Sequence, residues 1–455
     1  MKTDVGRNNI SCPTAPMRDS GIEWIGEIPE GWDVNRLRFH ATIKVSNVDK
    51  KTIEGEFPVR LCNYTDVYYQ ERITDDLEFM VATATASQKQ QFALISGDVL
   101  LTKDSETAED IGVSALVVGP LRNVVLGYHL ALLRGYPDNL ENRFLHWQLK
   151  ATIAKDQLSL SATGVTRFGL RQESIASLQL ILPPPTQQRA IADFLDHETS
   201  RIDTLIAKRQ RIIGLLDEKR SALITQAVTR GLDPTAPMRD SGIEWIGEIP
   251  EGWKVAALKR LCSLSANYGL NVTGDDYRTS GVRLLRTSDI EESGLLKDEG
   301  DAVYVDPARA TGMTLEHGDI LLSRSGTLGR CLRFRDQGAA CTFAAYLVRF
   351  RVSSDQLDNY VEYCSRAKFF SAQIEIDAIQ STIANFNGQK YGDINMPIPP
   401  LAEQRAIADF LDHETTRIDQ LKSLNQRQIE LLKEKRQALI TAAVTGKIPE
   451  AKGVA

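Results

Sequence analysis

Two stretches of the chain carry apolar residues at helical spacing, in steps of three or four separated by steps of seven or eight. The first series is Ile191, Leu195, Ile202, Leu205, Ile212, Leu216 and Leu223; the second is Ile407, Leu411, Ile418, Leu421, Ile429, Leu432 and Leu439. Each is a heptad-like helical seam, interrupted by charges such as Glu198, Lys219, Glu414 and Lys435. The helices start after the proline-rich stops LPPPTQQ and IPPLAEQ, because proline fits a first helical turn and blocks extension backwards. Gly231 and Gly446 stand where C-terminal stops are expected. Roughly 40 to 45 residues at about 1.5 Å each predict rods of order 60–65 Å. Two such seams in one chain most simply pack on each other as an antiparallel coiled coil. That arrangement places the intervening segments at opposite ends with pseudo-twofold symmetry. The same seams would also suit a coiled coil that joins two chains.

The chain is written twice. PTAPMRDSGIEWIGEIPEGW fills both Pro13 to Trp32 and Pro234 to Trp253, identical at all twenty positions. Arg189 to Thr229 and Arg405 to Thr445 agree at 30 of 41 positions, opening on RAIADFLDHET. The inserts between these frames share little beyond landmarks in the same order. VRLCNYTDV (59–67) matches VRLLRTSDI (282–290), GDVLLTKDS (97–105) matches GDILLSRSG (318–326), and TGVTRFG (163–169) matches STIANFN (381–387). Repeats of this kind set the domain plan. Residues 1–32 form an opening motif, 33–185 a first insert domain and 186–230 a central helix. Residues 231–253 are the second opening motif, 254–400 the second insert domain, 401–446 the C-terminal helix and 447–455 a tail. The expected fold is α/β in the broad α+β sense, with inserts of mixed sheet and short helices alternating with helical spacers. Near-identical frames meet the same thing twice; divergent inserts meet different things. Structural duplication alone would instead spread the differences evenly.

At 455 residues the chain exceeds one ordinary hydrophobic core. It carries 42% hydrophobic and 25% charged residues, and no apolar run approaches the roughly 18 needed to span a bilayer. Without a secretion signal in MKTDVGRNNISC, a cytoplasmic location and no membrane partner are expected. Six cysteines without a CxxC pair read as free thiols rather than a disulfide frame or a zinc site. The net charge of −6 opposes a protein that coats phosphates alone. Counting Lys and Arg against Asp and Glu gives 16 − 18 = −2 for residues 33–182 and 17 − 18 = −1 for 254–396, so a nucleic-acid face would have to be local. No phosphate loop, HExxH or zinc-deaminase signature occurs, nor an (N/D)PP(Y/F) methyltransferase loop, so no catalytic residue and no metal ligand is assigned. Trp24, Trp32, Trp245 and Trp253 read as frame packing, since residues identical in both copies cannot distinguish two sequences. Base stacking is the alternative.

Two variable domains, near-identical frames, GDILLSRSG, and PPLAEQRAIADFLDHET running into EKRQALITAAVTG together resemble the specificity subunit of type I restriction-modification enzymes. The resemblance covers nearly the whole chain. It departs where Pro-Thr-Gln replaces Leu-Ala-Glu and where TKDSE replaces SRSGT in the first copy. It implies a non-catalytic subunit in which each insert is a target-recognition domain for one half of an asymmetric, bipartite site in double-stranded DNA. Two methyltransferase subunits, and restriction subunits, would be the partners. S-adenosylmethionine, ATP and Mg²⁺ would sit on those partners, with no cofactor bound by this chain. A scaffold that binds proteins without reading DNA is the alternative.

The landmark loops supply the candidate readers. Arginine pairs bidentately with guanine and asparagine or glutamine with adenine, at about 1–3 kcal/mol each. In the first insert these are Arg60, Asn63, Tyr64, Lys103, Ser105, Thr166 and Arg167. In the second they are Arg283, Arg286, Ser323, Arg324, Ser325, Asn385, Asn387 and Lys390. Ordinary strand-connecting turns are the alternative for each. Arg189, Phe194 and His197, repeated as Arg405, Phe410 and His413, are the candidate partner-docking residues on the helices.

Overall fold

Gly97 and Gly318 hold φ at +91° and +89°, a region open to glycine, and turn the chain into the apolar strands that follow. The next residue locks each turn. In the computed structural model, Asp98 grips Arg134 with both carboxylate oxygens, at 2.5 and 2.9 Å, and accepts the Ile95 N–H at 2.8 Å. Asp319 does the same with Arg351, at 2.7 and 2.9 Å, and accepts the Glu316 N–H at 2.9 Å. Both aspartates are buried, so the paired charge and its hydrogen bonds belong together. The structure describes residues 16–291, 294–297, 302–336, 338–379 and 386–448, without the side chains of 377–379.

The chain divides into two compact units, residues 1–209 with 427–455, and residues 210–426. In the first, a five-stranded sheet runs in the order Ala41–Val45, Leu130–Gly135, Val99–Thr102, Ser114–Val117, Arg72–Ile73. A three-stranded sheet (Val124–Leu126, Phe57–Cys62, Met80–Ala84) packs against it over a core containing Leu61, Val67, Leu100 and Leu132. In the second unit the four-stranded sheet is Cys262–Tyr268, Leu347–Val352, Asp319–Ser323, Cys331–Arg333. Its three-stranded companion is Val303–Val305, Val282–Leu285, Cys341–Phe343. In both units the strand carrying the VRL landmark pairs in parallel with a later strand. The expected α+β inserts are therefore present and share a four-strand order in the main sheet, to which the first adds Arg72–Ile73 at the edge.

The helices run from Pro185 to Arg230 and from Leu401 to Val444, 46 and 44 residues. Gly231 and Gly446 follow them at φ +72°, where the predicted stops lie. Within the first unit, Ile191, Ala192 and Leu195 share a core with Ile440, Ala443 and Val444, while Arg436 meets Asp203 at 2.9 Å. Within the second, Arg220 meets Asp419 at 2.7 Å and Lys422 meets Asp217 at 2.5 Å. Residue numbers rise on one helix as they fall on the other, so the pairing in each unit is antiparallel. The seam does not stay buried along its length. Ile191, Leu195, Ile202, Ile407, Leu411, Ile418 and Ile429 are buried, but Leu205, Ile212 and Leu421 are exposed. A straight helix of 3.6 residues per turn drifts about 20° per heptad from a 3.5-residue stripe, and these side chains lie where the drift has carried the stripe outward.

The opening motifs cap these cores. Ile25, Ile28 and Trp32 join the first core, and Ile246, Ile249 and Trp253 the second. Each buried indole donates to the start of a long helix: Trp32 Nε1 to Gln187 Oε1 at 2.8 Å, and Trp253 Nε1 to Glu403 Oε2 at 3.0 Å. The Pro-Thr-Gln for Leu-Ala-Glu departure thus keeps the acceptor. Trp24 and Trp245 differ from the frame-packing expectation, with 59% and 39% of their surfaces exposed. Each lies one residue before the buried isoleucine that anchors its hairpin, Ile25 or Ile246, and so faces outward.

Candidate nucleic-acid interface

In the first unit the three landmark loops meet. Asp104–Ser105 pairs with Phe168–Gly169, which pairs with Thr163–Gly164, so the TGVTRFG segment is a hairpin fastened to the GDVLLTKDS turn. Helix Tyr64–Tyr69 adjoins them. Its start is set by Asp66, whose Oδ2 accepts the Asn63 N–H at 2.7 Å. Together these loops border a cleft of about 620 Å³ lined by Tyr64, Tyr68, Asp104, Ser105, Asp110 and Arg167, among others. Thr166 and Arg167 lie at the hairpin tip on its rim.

Charge in this cleft is carefully paired. Asp104 Oδ2 accepts from Lys103 Nζ at 3.0 Å and meets His129 Nδ1 at 2.6 Å. Burial opposes its charge, but the His129 and Lys103 hydrogen bonds outweigh that and hold the carboxyl below its ordinary range. The Tyr68 hydroxyl donates to Asp110 at 2.5 Å, which pushes its pKa up to about 12. Burial, then the Asp110 charge, raise Tyr64 against lowering by Ser105 and Arg167. Tyr64 and Tyr68 stack at 5.4 Å. The cleft therefore offers aromatic faces, fixed carboxylate acceptors and one guanidinium. Such a set suits base edges and faces better than phosphate.

The second unit repeats the scaffold with other side chains. Arg324 stands where Lys103 does, and each cation lies over a tyrosine ring: Lys103 Nζ over Tyr128 at 4.9 Å, Arg324 Cζ over Tyr268 at 5.0 Å. Each backbone N–H donates to the residue before a matched strand, Lys103 to His129 O and Arg324 to Tyr346 O, both at 3.0 Å. Tyr346 is 63% exposed. Asn387 Oδ1 accepts the Lys390 N–H at 2.9 Å, and Lys390 lies 5.8 Å from the Phe386 ring. Ser325 is half-buried beside Arg324. Asn385 lies outside the described residues.

Four candidates take up structural contacts instead of a free surface. Arg60 pairs with Asp75, donates to its carbonyl at 2.7 Å and lies 4.9 Å from the Phe79 ring. Arg283 is buried in its strand. Arg286 clasps Asp289 with two nitrogens at 2.8 and 3.1 Å. Ser323 is buried, and its Oγ accepts the Arg330 N–H at 3.0 Å, as Thr102 Oγ1 accepts that of Val113 at 2.9 Å. Sequence reading passed over Tyr68, Asp110, His129, Tyr268 and Tyr346. The four-residue spacing of Tyr64 and Tyr68 was the available signal for one of them. On the helices, Arg189, His197, Arg405, Phe410 and His413 are exposed and Phe194 is half-buried.

The profile of the family described as type I restriction modification DNA specificity domain matches twice, at residues 32–213 and 250–433. Two specificity subunits of type I restriction enzymes from Methanocaldococcus jannaschii are similar along nearly the whole length. MjaX is 23% identical over 433 residues, covering 93% of this chain and 95% of that one; MjaVIII is 22% identical over 432 residues, covering 92% and 94%. A solved structure concerned with complex assembly and conformational transition of the type I R-M system superposes with a TM-score of 0.72 at 18% identity, covering 92% of this chain and 99% of its own.

Proposed function

The chain belongs to the type I restriction-modification DNA specificity family, and from that membership we propose that it reads two unlike half-sites of a gapped DNA target. The observation that carries this reading is the pair of matched turns. Their locks are duplicated, Asp98 with Asp319 and Thr102 with Ser323, while the side chains around them differ. One head presents Lys103, Asp104 and His129; the other presents Arg324, Ser325 and Tyr346. Equal scaffolds with unequal side chains suit two recognition events of one kind on two sequences.

In this reading the chain does no chemistry. Two methyltransferase subunits, joined by restriction subunits, carry S-adenosylmethionine, ATP and Mg²⁺, and the complex acts in the cytoplasm. The repeated exposed residues Arg189 and His197, with Arg405, Phe410 and His413, support one partner docking twice. So do the exposed seam residues Leu205 and Leu421. Phosphate grip comes mainly from those partners, which accommodates a net charge of −6. The test is to sequence methylated adenines in cells expressing the chain with its methyltransferase. A gapped, asymmetric motif is expected, and replacing residues 254–400 should change one half of it. Methylation without a gapped rule would leave a protein scaffold as the better account.

A further inference from the structure

The two exposed tryptophans border matching grooves. In the first unit Trp24 faces Leu160, which is 88% exposed, across a cavity of about 380 Å³. In the second, Trp245 faces Ile376 across about 440 Å³. The floors are built alike. Gln157 Oε1 accepts the Gln179 N–H at 2.9 Å, and its Nε2 donates to Gln179 O at 3.2 Å. Gln373 does the same with Asn395, at 3.1 and 3.3 Å.

The opening motif beside each groove is acidic, although Arg36 lines the first groove and Lys390 the second. Each opening motif holds one arginine against one aspartate and three glutamates, 1 − 4 = −3. Its arginine is committed inward: Arg18 donates to Trp32 O and Arg239 to Trp253 O, both at 2.5 Å. Glu23 and Glu27 lie on the exposed surface either side of Trp24 in the chain, as Glu244 and Glu248 do about Trp245, Glu248 also pairing with Arg230 at 3.4 Å. Carboxylates beside an indole disfavour phosphate, so a DNA backbone suits this end of each groove less well than a cation does. They favour a lysine or arginine that stacks on the ring while its charge is matched. Because all twenty motif positions are identical, the occupant is the same at both grooves, whereas the DNA half-sites would differ.

We propose that each tryptophan groove is a docking site for a basic, apolar-anchored segment of the methyltransferase subunit, one copy per groove, separate from the helix faces. This rests on the proposed function, which supplies a partner present in two copies. The test titrates the full chain with its cognate methyltransferase subunit, reading dissociation constants and, by native mass spectrometry, stoichiometry. Trp24→Ala and Trp245→Ala should each weaken one of the two binding events about 30-fold, the range of an interface tryptophan worth about 2 kcal/mol. Glu27→Lys with Glu248→Lys should weaken both and flatten their salt dependence, with the circular dichroism spectrum and melting temperature unchanged. Wild-type affinity in all variants overturns the proposal. Loss of DNA binding with methyltransferase binding intact would assign the grooves to DNA. Self-association of the chain abolished by Trp24→Ala with Trp245→Ala, methyltransferase binding again intact, would assign them to a second copy; either result overturns it. A wild-type chain that takes up no methyltransferase would instead remove the proposed function itself.

Discussion

Lys103 and Arg324 occupy the same turn and lie over tyrosine rings at nearly equal distances, yet their head groups grip differently. A guanidinium forks onto guanine O6 and N7, while an ammonium is a point donor. Arg324→Lys should therefore cost about 1–3 kcal/mol at one base pair and relax the second half-site alone, as read by methylation sequencing. Asp104 is held ionised by Lys103 and His129 and is an acceptor only, suited to an exocyclic amine. Asp104→Asn adds donors there and should alter base preference at one position of the first half-site. Much of this was out of reach of sequence reading because partners lie far along the chain. Arg60 and Arg283 looked like matched readers, but Asp75 and burial in the sheet claim them. Ser323 looked like a polar reader and serves as a turn lock, a duty that depends on Arg330 seven residues away. What the landmarks did mark was position: Tyr64, Ser105 and Arg167 come together at one cleft.

The proline stops and closing glycines placed the long helices within two residues, because those signals are local. The seam was legible at its ends and not in its middle, where helical drift decides which leucines face out. Cross-helix contacts were not legible either. Glu71, at the sheet edge, meets Arg436 at 2.7 Å and Lys150 at 3.1 Å, tying the first recognition domain to the C-terminal helix within its unit. Burial opposes the charge of Glu71, but the His146 hydrogen bond and the Lys150 and Arg436 charges prevail and hold its pKa far below the ordinary 4.5. A carboxyl depressed by folding stabilises fully above about pH 4.5, and this stabilisation is lost as pH falls further. His146, lowered by burial from 6.5, acts with the same sign from higher pH. Glu71→Gln should lower the melting temperature at neutral pH and flatten its fall below pH 4.5. A parallel loss at every pH would deny the linkage. Deeper in the same unit, Asp98→Ala strands Arg134 and should cost about 3 kcal/mol in denaturant unfolding.

Two weakly acidic heads on a chain of net charge −6 make a poor electrostatic trap for DNA. The isolated chain is expected to bind its target weakly at physiological salt and tightly once the methyltransferase is added. Sequence-selective binding by the chain alone, measured by fluorescence anisotropy, would count against that division of labour. The first unit is assembled from two segments far apart in the chain, since Trp32 packs in the same core as Ile440, Ala443 and Val444. A ribosome therefore releases the leading head hundreds of residues before the helix that completes it. Until the second long helix is made, the surface around Ile28 and Trp32 stays wet and sticky. Truncation before Ile440 should accordingly cripple the first head, leaving aggregation rather than a half-specific product.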